Sequence, residues 1–283
     1  MFDASGDGPS RATSSESDVV LEQALRCLAN GQPDALVGPT TTRFSERCVE
    51  VPWVAAHLAN SGRLLDIGWA MSPPEWLGVL LAVQDHGASL TGIDIIDPQR
   101  VRSRYPVELL ERVLAVPVRV ESFLDASPTD GTFDTITCVS TLEHIGFDQA
   151  SPPEVKETAF VRSTTPDGAN GVRDPQTDAL FLDAAHRMLS PGGSLLLSVP
   201  VGHGVPILHQ DSLGLFTHQF EYDDESWNRL VSDDRFEVRE DAYFRHDQKL
   251  GWVSVPLVTD LTDQTSALRP FATGCAVAHL VRR

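Results

Sequence analysis

Two aspartates end short apolar runs in this 283-residue chain and are its first candidates for chemistry. Asp66 ends the run RLLD shortly before Gly68, and Asp94 ends the run SLTGID. Such runs are typical of buried parallel strands, whose carboxyl ends form the edge of the sheet where ligands bind. A buried carboxylate without a partner is costly, which favours a ligand ammonium beside Asp66 over a carboxyl satisfied by backbone amides alone. An acid placed like Asp94 can accept hydrogen bonds from both hydroxyls of a ribose.

Histidines are the candidate bases. His144 follows the predicted fourth strand in the segment STLEHIG, and His209 lies in the segment after the predicted fifth strand. A histidine pKa of about 6.5 allows either side chain to take a proton from a hydroxyl. The alternative for His144, together with Glu143, is to fix the start of the next helix by hydrogen bonding. Loop histidines such as His209 are often only solvated or bonded to backbone, so both interpretations stay open.

The elements that must position these residues follow one alternating pattern from residue 63 onward. Short runs rich in Leu, Ile and Val alternate with amphipathic stretches, which indicates a parallel sheet with crossover helices. The predicted strands cover residues 63–68, 89–95, 116–123, 133–140, 193–201, 236–244 and 272–281. The predicted helices between and after them cover residues 74–84, 100–115, 178–189 and about 224–230.

The sequence divides into three predicted parts. Residues 1–17 are polar and are predicted to be a disordered tail, because they offer too little apolar surface to offset the entropy of ordering. Residues 18–62 carry two helical patterns and are predicted to be an N-terminal helical cap on the main domain, residues 63–283. Residues 146–176 form one long stretch with few apolar side chains, and loops of this kind are usually functional or disordered. We expect the cap and this loop to close over the site.

The acidic composition argues against several classes of partner. The chain has 40 Asp and Glu residues against 22 Lys and Arg, a net charge of −18, and no basic cluster that could hold a phosphate backbone. We therefore expect no nucleic-acid partner and no membrane partner. The N-terminus lacks the pattern of a leader, which predicts a cytoplasmic protein. The four cysteines stand at no metal-ligand spacing, so we expect reduced thiols and no metal site.

The order of these motifs resembles that of the class I S-adenosylmethionine-dependent methyltransferases. LLDIG, GID, FDTITCVSTLEHIG and AAHRMLSPGGSLLLSVPVG occur here in the order and spacing of that family. The resemblance covers residues 63–201 well and the remaining C-terminal part loosely. It implies an α/β fold with a Rossmann-like, doubly wound, seven-stranded sheet, mostly parallel, with the last strand inserted antiparallel. The segment STLEHIG before a PGG turn is similar to the branch that acts on small molecules such as sugars and lipid-like acceptors.

The resemblance also implies roles for individual positions around S-adenosylmethionine. Asp66 and Gly68 would contact its methionine end, and Asp94 its ribose. The implied cofactor-binding positions are Asp66, Gly68, Ala70, Asp94, Ile95, Ser122, Phe123 and Ser140, with Ser122 and Phe123 flanking the adenine. The end of the fourth strand would lie beside the sulfonium, and we expect His144, or failing that His209, to act as the general base.

Three functions follow from these observations. The first is methyl transfer to a small-molecule acceptor, with O-methylation of a sugar or specialised-metabolite hydroxyl ahead of N- or C-methylation; the oligomeric state stays open. The family usually has a glycine where Ala70 stands and an acid where Ser122 stands. These departures favour, as the alternative, a non-catalytic binding protein with a degenerate cofactor loop. A nicotinamide-dependent enzyme comes last, because the chain lacks GxGxxG after the first strand and Asp66 would have no partner.

Overall fold

The computed structural model describes residues 14–128, 131–147, 173–210, 216–267, 269 and 271–283. Most of the predicted tail and most of the predicted 146–176 loop therefore lie outside the described residues. None of the helices in the described ranges is both long and apolar enough to cross a membrane.

A large sheet forms the centre of the molecule. Its strands are β1 (Arg63–Ile67), β2 (Ser89–Asp94), β3 (Val118–Val120), β4 (Phe133–Val139), β5 (Leu189–Pro200), β8 (Phe236–Asp247), β9 (Gly251–Val255) and β10 (Gly274–Arg282). They lie in the order β3-β2-β1-β4-β5-β10-β8-β9. Strands β1 to β5 are parallel, and β10 is inserted antiparallel between β5 and β8. The predicted doubly wound, mostly parallel sheet with an inserted last strand is confirmed.

Within the described residues the sheet has eight strands where seven were expected. The additional strand is β9, which pairs antiparallel with β8 at the edge of the sheet. A second element absent from the prediction is a separate hairpin of β6 (Pro206–Gln210) and β7 (Phe216–Phe220). Both lie in short segments whose strand character depends on a partner strand, so local composition alone did not indicate them.

Six helices flank the sheet in the described part of the chain. They are α1 (Glu16–Asn30), α2 (Arg47–Ala56), α3 (Pro74–Asp85), α4 (Val107–Ala115), α5 (Thr177–Met188) and α6 (Asp224–Val231). The predicted helix over residues 100–115 is broken: a 3₁₀ helix covers Pro98–Arg104, and Tyr105 is extended. The break has a direct cause, because a residue that precedes proline, here Pro106, is disfavoured in helical conformation.

Hydrophobic cores cover both faces of the sheet. On one face α1, α2 and α3 contribute Val20, Val54 and Trp76, which are essentially fully buried. On the other face α5 and α6 contribute Phe181 and Trp227. The predicted N-terminal helices therefore pack directly on α3 and the sheet. This packing brings Glu50 of α2 within hydrogen-bond distance of Ser140, directly after β4, and of Ser198 in β5.

Candidate active site

The two candidate aspartates lie at one edge of the sheet. Strands β1 and β2 are parallel neighbours, with Ile67 beside Ile93 in the register, so Asp66 and Asp94 both lie at carboxyl ends of adjacent strands. The chain after β1 stays attached to β2, because the Gly68 N–H donates to the carbonyl oxygen of Ile93 at 2.9 Å. This is the edge where parallel sheets bind ligands, as the sequence predicted.

Asp66 is fully buried, and only one of its two carboxylate oxygens has hydrogen-bond partners. Its Oδ1 accepts hydrogen bonds from Trp76 Nε1 at 3.0 Å and from Thr137 Oγ1 at 2.8 Å, whereas Oδ2 has no hydrogen-bond partner. The nearby Ser72 hydroxyl donates to the carbonyl oxygen of Gly68. Burial raises the pKa of Asp66 to about 7, with a smaller contribution from the charge of Asp94. A buried carboxylate oxygen of this kind suits a charged donor such as an α-ammonium group.

Asp94 holds the loop that follows β1. Its Oδ2 accepts from the Ala70 amide at 2.8 Å, and its Oδ1 accepts from the Ile96 amide at 2.9 Å. Burial raises the pKa of Asp94 to about 6. Each carboxylate oxygen has a second lone pair, so these bonds leave room for the hydroxyls of a ribose. The neighbouring Ile95 side chain is exposed at the same edge.

The loop itself is a short 3₁₀ helix, Trp69–Met71, entered through Gly68 at φ 89°. Ala70 lies inside that turn, and the hydroxyl of Tyr105 donates to its carbonyl oxygen at 3.0 Å. Trp69 is fully buried against Gly92 of β2. Among the described non-glycine residues only Ser140 has a positive φ, so alanine in place of the usual glycine does not strain this loop.

We expect Gly68→Ala to lower the free energy of unfolding by about 2–3 kcal/mol. A methyl group at Gly68 would overlap the Thr141 hydroxyl and lie 2.8 Å from Thr141 Cγ2, in addition to the strain at φ 89°. Urea unfolding measures the loss. Gly87→Ala is the matched control, because Gly87 also has a positive φ but nothing within 4 Å of the added methyl. Equal losses in the two variants would contradict the proposed overlap.

The two predicted adenine-flanking residues differ in their placement. Ser122 directly precedes the 3₁₀ helix Phe123–Asp125. The ring of Phe123 is buried in the core and packs against Phe181 with ring centroids 5.3 Å apart. The ring of Phe123 is thus used in the core, Ser122 is partly exposed, and the adenine contact of both residues stays a prediction.

Ser140 connects the end of β4 to the N-terminal helices. It has a φ of 43°, its amide donates to Ser198 Oγ at 3.0 Å, and its hydroxyl donates to Glu50 Oε2 at 2.9 Å. The Ser198 hydroxyl donates to the same oxygen of Glu50 at 2.6 Å. A buried acid of α2 therefore fixes the conformation of Ser140, which the family resemblance predicts to lie beside the sulfonium.

His144 is oriented by a backbone carbonyl. Its Nδ1 lies 2.8 Å from the carbonyl oxygen of His218 in β7, and a carbonyl can only accept, so the hydrogen is on Nδ1 and the lone pair on Nε2. Nε2 lies 3.9 Å from Glu143 Oε1, and about a quarter of the His144 side chain is exposed. Burial lowers the pKa of His144 to about 4.

His209, the second candidate base, lies in β6. Its backbone pairs with Thr217 of β7, the strand whose His218 carbonyl orients His144. The hairpin is thus attached to the site, and the catalytic role of His209 stays a prediction.

An acid-rich cluster at the carboxyl end of β4 was not predicted from the sequence. Its members are Glu46, Arg47, Glu50 and Glu143. Arg47 Nη1 donates to Glu50 Oε1, and its Nε lies 3.9 Å from Glu46 Oε1. One signal for it was present: Glu50 interrupts the apolar segment CVEVPW, which gives a buried helix face an acid. Within the described residues no group of three or more His, Cys, Asp or Glu side chains is arranged to hold a metal.

Comparison with known families gives one match over most of the chain. Residues 41–240 match a family model described as a methyltransferase domain. The match covers the site edge, including the start of α2, the carboxyl ends of β1, β2 and β4, and both histidines.

The curated proteins that the chain is similar to include ubiquinone biosynthesis O-methyltransferases of two species. The protein of Xanthomonas campestris pv. campestris is 34% identical over 139 residues, which are 48% of this chain and 54% of that protein. The protein of Pseudomonas aeruginosa is 29% identical over 155 residues, 53% of this chain and 50% of that protein. The chain therefore spans about half the length of the curated relatives it matches.

Solved structures with a similar fold share little sequence. The PH0226 protein from Pyrococcus horikoshii aligns with a TM-score of 0.47 and 11% identity, over 82% of this chain and 87% of that chain. The N-methyltransferase NodS from Bradyrhizobium japonicum, in complex with S-adenosylhomocysteine, aligns with a TM-score of 0.43 and 14% identity, over 98% of this chain and 93% of that chain.

Proposed function

Because this chain belongs to the family of methyltransferase domains, we propose that it transfers the methyl group of S-adenosylmethionine to a hydroxyl group of a small molecule. One observation carries the assignment of the cofactor site. Asp66 has a fully buried carboxylate oxygen without a partner, at the same sheet edge as Asp94. A cofactor with an ammonium at one end and a ribose beside it would satisfy both acids.

The residues of this edge fit the cofactor. Asp66 would bind the ammonium, Asp94 would bind the ribose hydroxyls, and the turn after Gly68 would line the methionine end. S-adenosylmethionine supplies an electrophilic methyl group when bound. The protein aligns the acceptor with that group and excludes water, and alignment of this kind can contribute roughly 7–11 kcal/mol to lowering a barrier.

The acceptor proposed here is a small molecule that carries a hydroxyl, such as a sugar or a specialised metabolite. Support comes from the two curated relatives, which are named as O-methyltransferases. The net charge of −18 disfavours nucleic acid and anionic membrane surfaces as acceptors. The proposal keeps the predicted cytoplasmic location and the predicted division into a cap, residues 18–62, and a main domain, residues 63–283.

Isothermal titration of the full chain tests the cofactor assignment. S-adenosylmethionine and S-adenosylhomocysteine should both bind, whereas NAD should not. Methyl transfer from labelled S-adenosylmethionine to a panel of phenols, catechols and sugars then tests the acceptor class. A folded sample that binds neither S-adenosyl compound would favour the non-catalytic alternative, and tight binding of NAD would favour the nicotinamide alternative.

We expect His144→Ala to slow single-turnover O-methylation by about 10²-fold with little change in cofactor affinity, because a lowered pKa makes the imidazole a weaker base. The lone pair on Nε2 is the proposed proton acceptor, because the contact with the His218 carbonyl fixes the hydrogen on Nδ1. Since the pKa of His144 is lowered to about 4, the imidazole stays neutral as the pH falls from 8 to 6. The ratio of wild-type to variant rates should therefore be constant over that range.

His209→Ala is the comparison for this experiment. Unchanged rates in both variants would remove the general-base proposal, and a loss confined to His209→Ala would move the base to β6. If the ratio of wild-type to variant rates fell as the pH dropped through about 6.5, His144 would titrate like an ordinary histidine, which would contradict a pKa lowered by burial.

A further inference from the structure

The acid-rich cluster beside the proposed cofactor site contains a carboxyl group that the cofactor does not account for. Glu143, which directly follows the end of β4, is 2% exposed, and its Oε2 has no hydrogen-bond partner. Its Oε1 lies 3.9 Å from Nε2 of His144. A buried carboxylate oxygen normally has a donor, so this oxygen indicates a missing group.

The cofactor ammonium does not fill this position. The unpartnered Oδ2 of Asp66 lies on β1, whereas Glu143 follows β4 on the side that meets α2. S-adenosylmethionine carries one ammonium group, and Asp66 is the acid assigned to it above. The unpartnered oxygen of Glu143 therefore needs a donor from another molecule, and the acceptor is the molecule that must lie beside the transferred methyl group.

The charges of the cluster decide which donor fits. Arg47 is already shared between Glu50, which its Nη1 contacts, and Glu46, 3.9 Å from its Nε. Glu50 also accepts the hydroxyls of Ser140 and Ser198. An anionic acceptor would meet three acidic side chains and an arginine that is already paired, whereas a cationic acceptor would supply the counter-ion that Glu143 needs when its carboxyl group ionises. The net charge of −18 on the whole chain also attracts cations toward the protein.

We infer that Glu143 binds a protonated amine on the acceptor, so that the substrate class is a hydroxyl compound bearing an amino group, such as an amino sugar or an aminoalkyl phenol. This inference rests on the proposed function and names the acceptor within it. The amine is the recognition group, and the hydroxyl remains the methylated group. Glu143 is then a specificity-determining residue, and the cluster reaches the surface at Arg47 and His144, each about a quarter exposed.

Binding of the amine should release a proton. Burial raises the pKa of Glu143 to about 8, with a further contribution from Glu50, so at pH 7 the free carboxyl is largely protonated. The ammonium stabilises the carboxylate, and the proton that leaves Glu143 passes to the buffer. The titratable and charged groups that face Glu143 are Glu46, Arg47, Glu50, Cys138, His144, Tyr222 and Cys275.

Matched pairs of probes test the inference on the full chain saturated with S-adenosylhomocysteine. Tyramine is compared with 4-ethylphenol, and glucosamine with glucose, by isothermal titration at pH 7 in two buffers of different ionisation enthalpy. We expect the amine of at least one pair to bind about tenfold or more tightly than its neutral partner, with proton release. Glu143→Gln should abolish both the preference and the proton release while it still binds S-adenosylhomocysteine.

Two further variants keep the test decisive. Glu111→Gln, an exposed acid of α4, should keep the preference, and Glu143→Asp should keep part of it if Glu143→Gln folds poorly. Equal binding within both pairs, no binding of any probe, or a preference that survives in Glu143→Gln would overturn the inference. The proposed function would still hold in those cases if the protein bound S-adenosylhomocysteine and methylated neutral hydroxyl compounds. A wild type that does not bind the cofactor would overturn the proposed function itself.

Discussion

Asp66→Asn should lower the affinity for S-adenosylhomocysteine by about 100-fold. The asparagine oxygen can keep the hydrogen bonds that Oδ1 accepts from Trp76 and Thr137. The amide NH₂ would then replace Oδ2, so an ammonium would meet a donor where the wild type offers a carboxylate oxygen without a partner. Isothermal titration measures the loss, and Asp234→Asn, at an exposed position, is the matched control and should bind as the wild type does.

The same variant should be more stable than the wild type above pH 7, although it binds S-adenosylhomocysteine more weakly. Burial raises the pKa of Asp66 to about 7, above its ordinary value of 3.8, so the folded protein holds a proton that the unfolded chain has released. The wild type therefore loses stability as the pH rises from about 4 to about 7, and the cost is fully present above pH 7. The amide of the variant carries no such charge, so Asp66→Asn should be more stable than the wild type at pH 8 and closer to it at pH 5.

Urea unfolding without ligand at both pH values checks that sign. A variant that is less stable than the wild type at pH 8 would mean that the carboxylate contributes to the fold itself. A variant that keeps its affinity for S-adenosylhomocysteine would remove Asp66 from the cofactor site and with it the observation on which the proposed function rests.

The sheet and the position of the aspartates could be predicted because both depend on local pattern. The family predicted from the motifs is confirmed by the match over residues 41–240. Asp66 and Asp94 follow apolar runs, and the carboxyl ends of adjacent parallel strands lie at one edge whatever the surrounding helices do. The hydrogen-bond partner Trp76 was not predictable, because it reaches Asp66 from the following helix through tertiary packing.

The cluster around Glu143 could not be predicted for the same physical reason. Its members come from α2, from Glu46 directly before it and from the turn after β4, and their contact depends on how the N-terminal helices pack on the sheet. The sequence separation of Glu50 and Ser198, whose side chains share a hydrogen bond, is 148 residues. The break before Pro106 could have been predicted, because the residue before a proline is disfavoured in helical conformation. The prediction of one helix over residues 100–115 followed the spacing of apolar residues and did not apply that rule.

Glu50→Ala should lower the free energy of unfolding by about 3 kcal/mol or more, the largest loss that we expect from a single change outside the hydrophobic cores. Glu50 is fully buried, and it pairs with Arg47 while it accepts the hydroxyls of Ser140 and Ser198. Its removal leaves three donors without this acceptor, although Arg47 is 22% exposed and its Nε stays 3.9 Å from Glu46 Oε1. Glu225→Ala, which removes an exposed ion pair with Arg229, is the matched control and should change stability little.

Replacing both partners of the ion pair separates its contribution from that of the serine contacts. If the loss came only from breaking the Arg47–Glu50 ion pair, Arg47→Met combined with Glu50→Leu would recover most of it, because a buried pair can often be replaced by apolar side chains. We expect partial recovery, because Ser140 has a φ of 43° and Glu50 accepts its hydroxyl. Restored stability without restored methyl transfer would assign Glu50 to holding the end of β4 in its active conformation. Full recovery of both would mean that the strained serine does not depend on this acid.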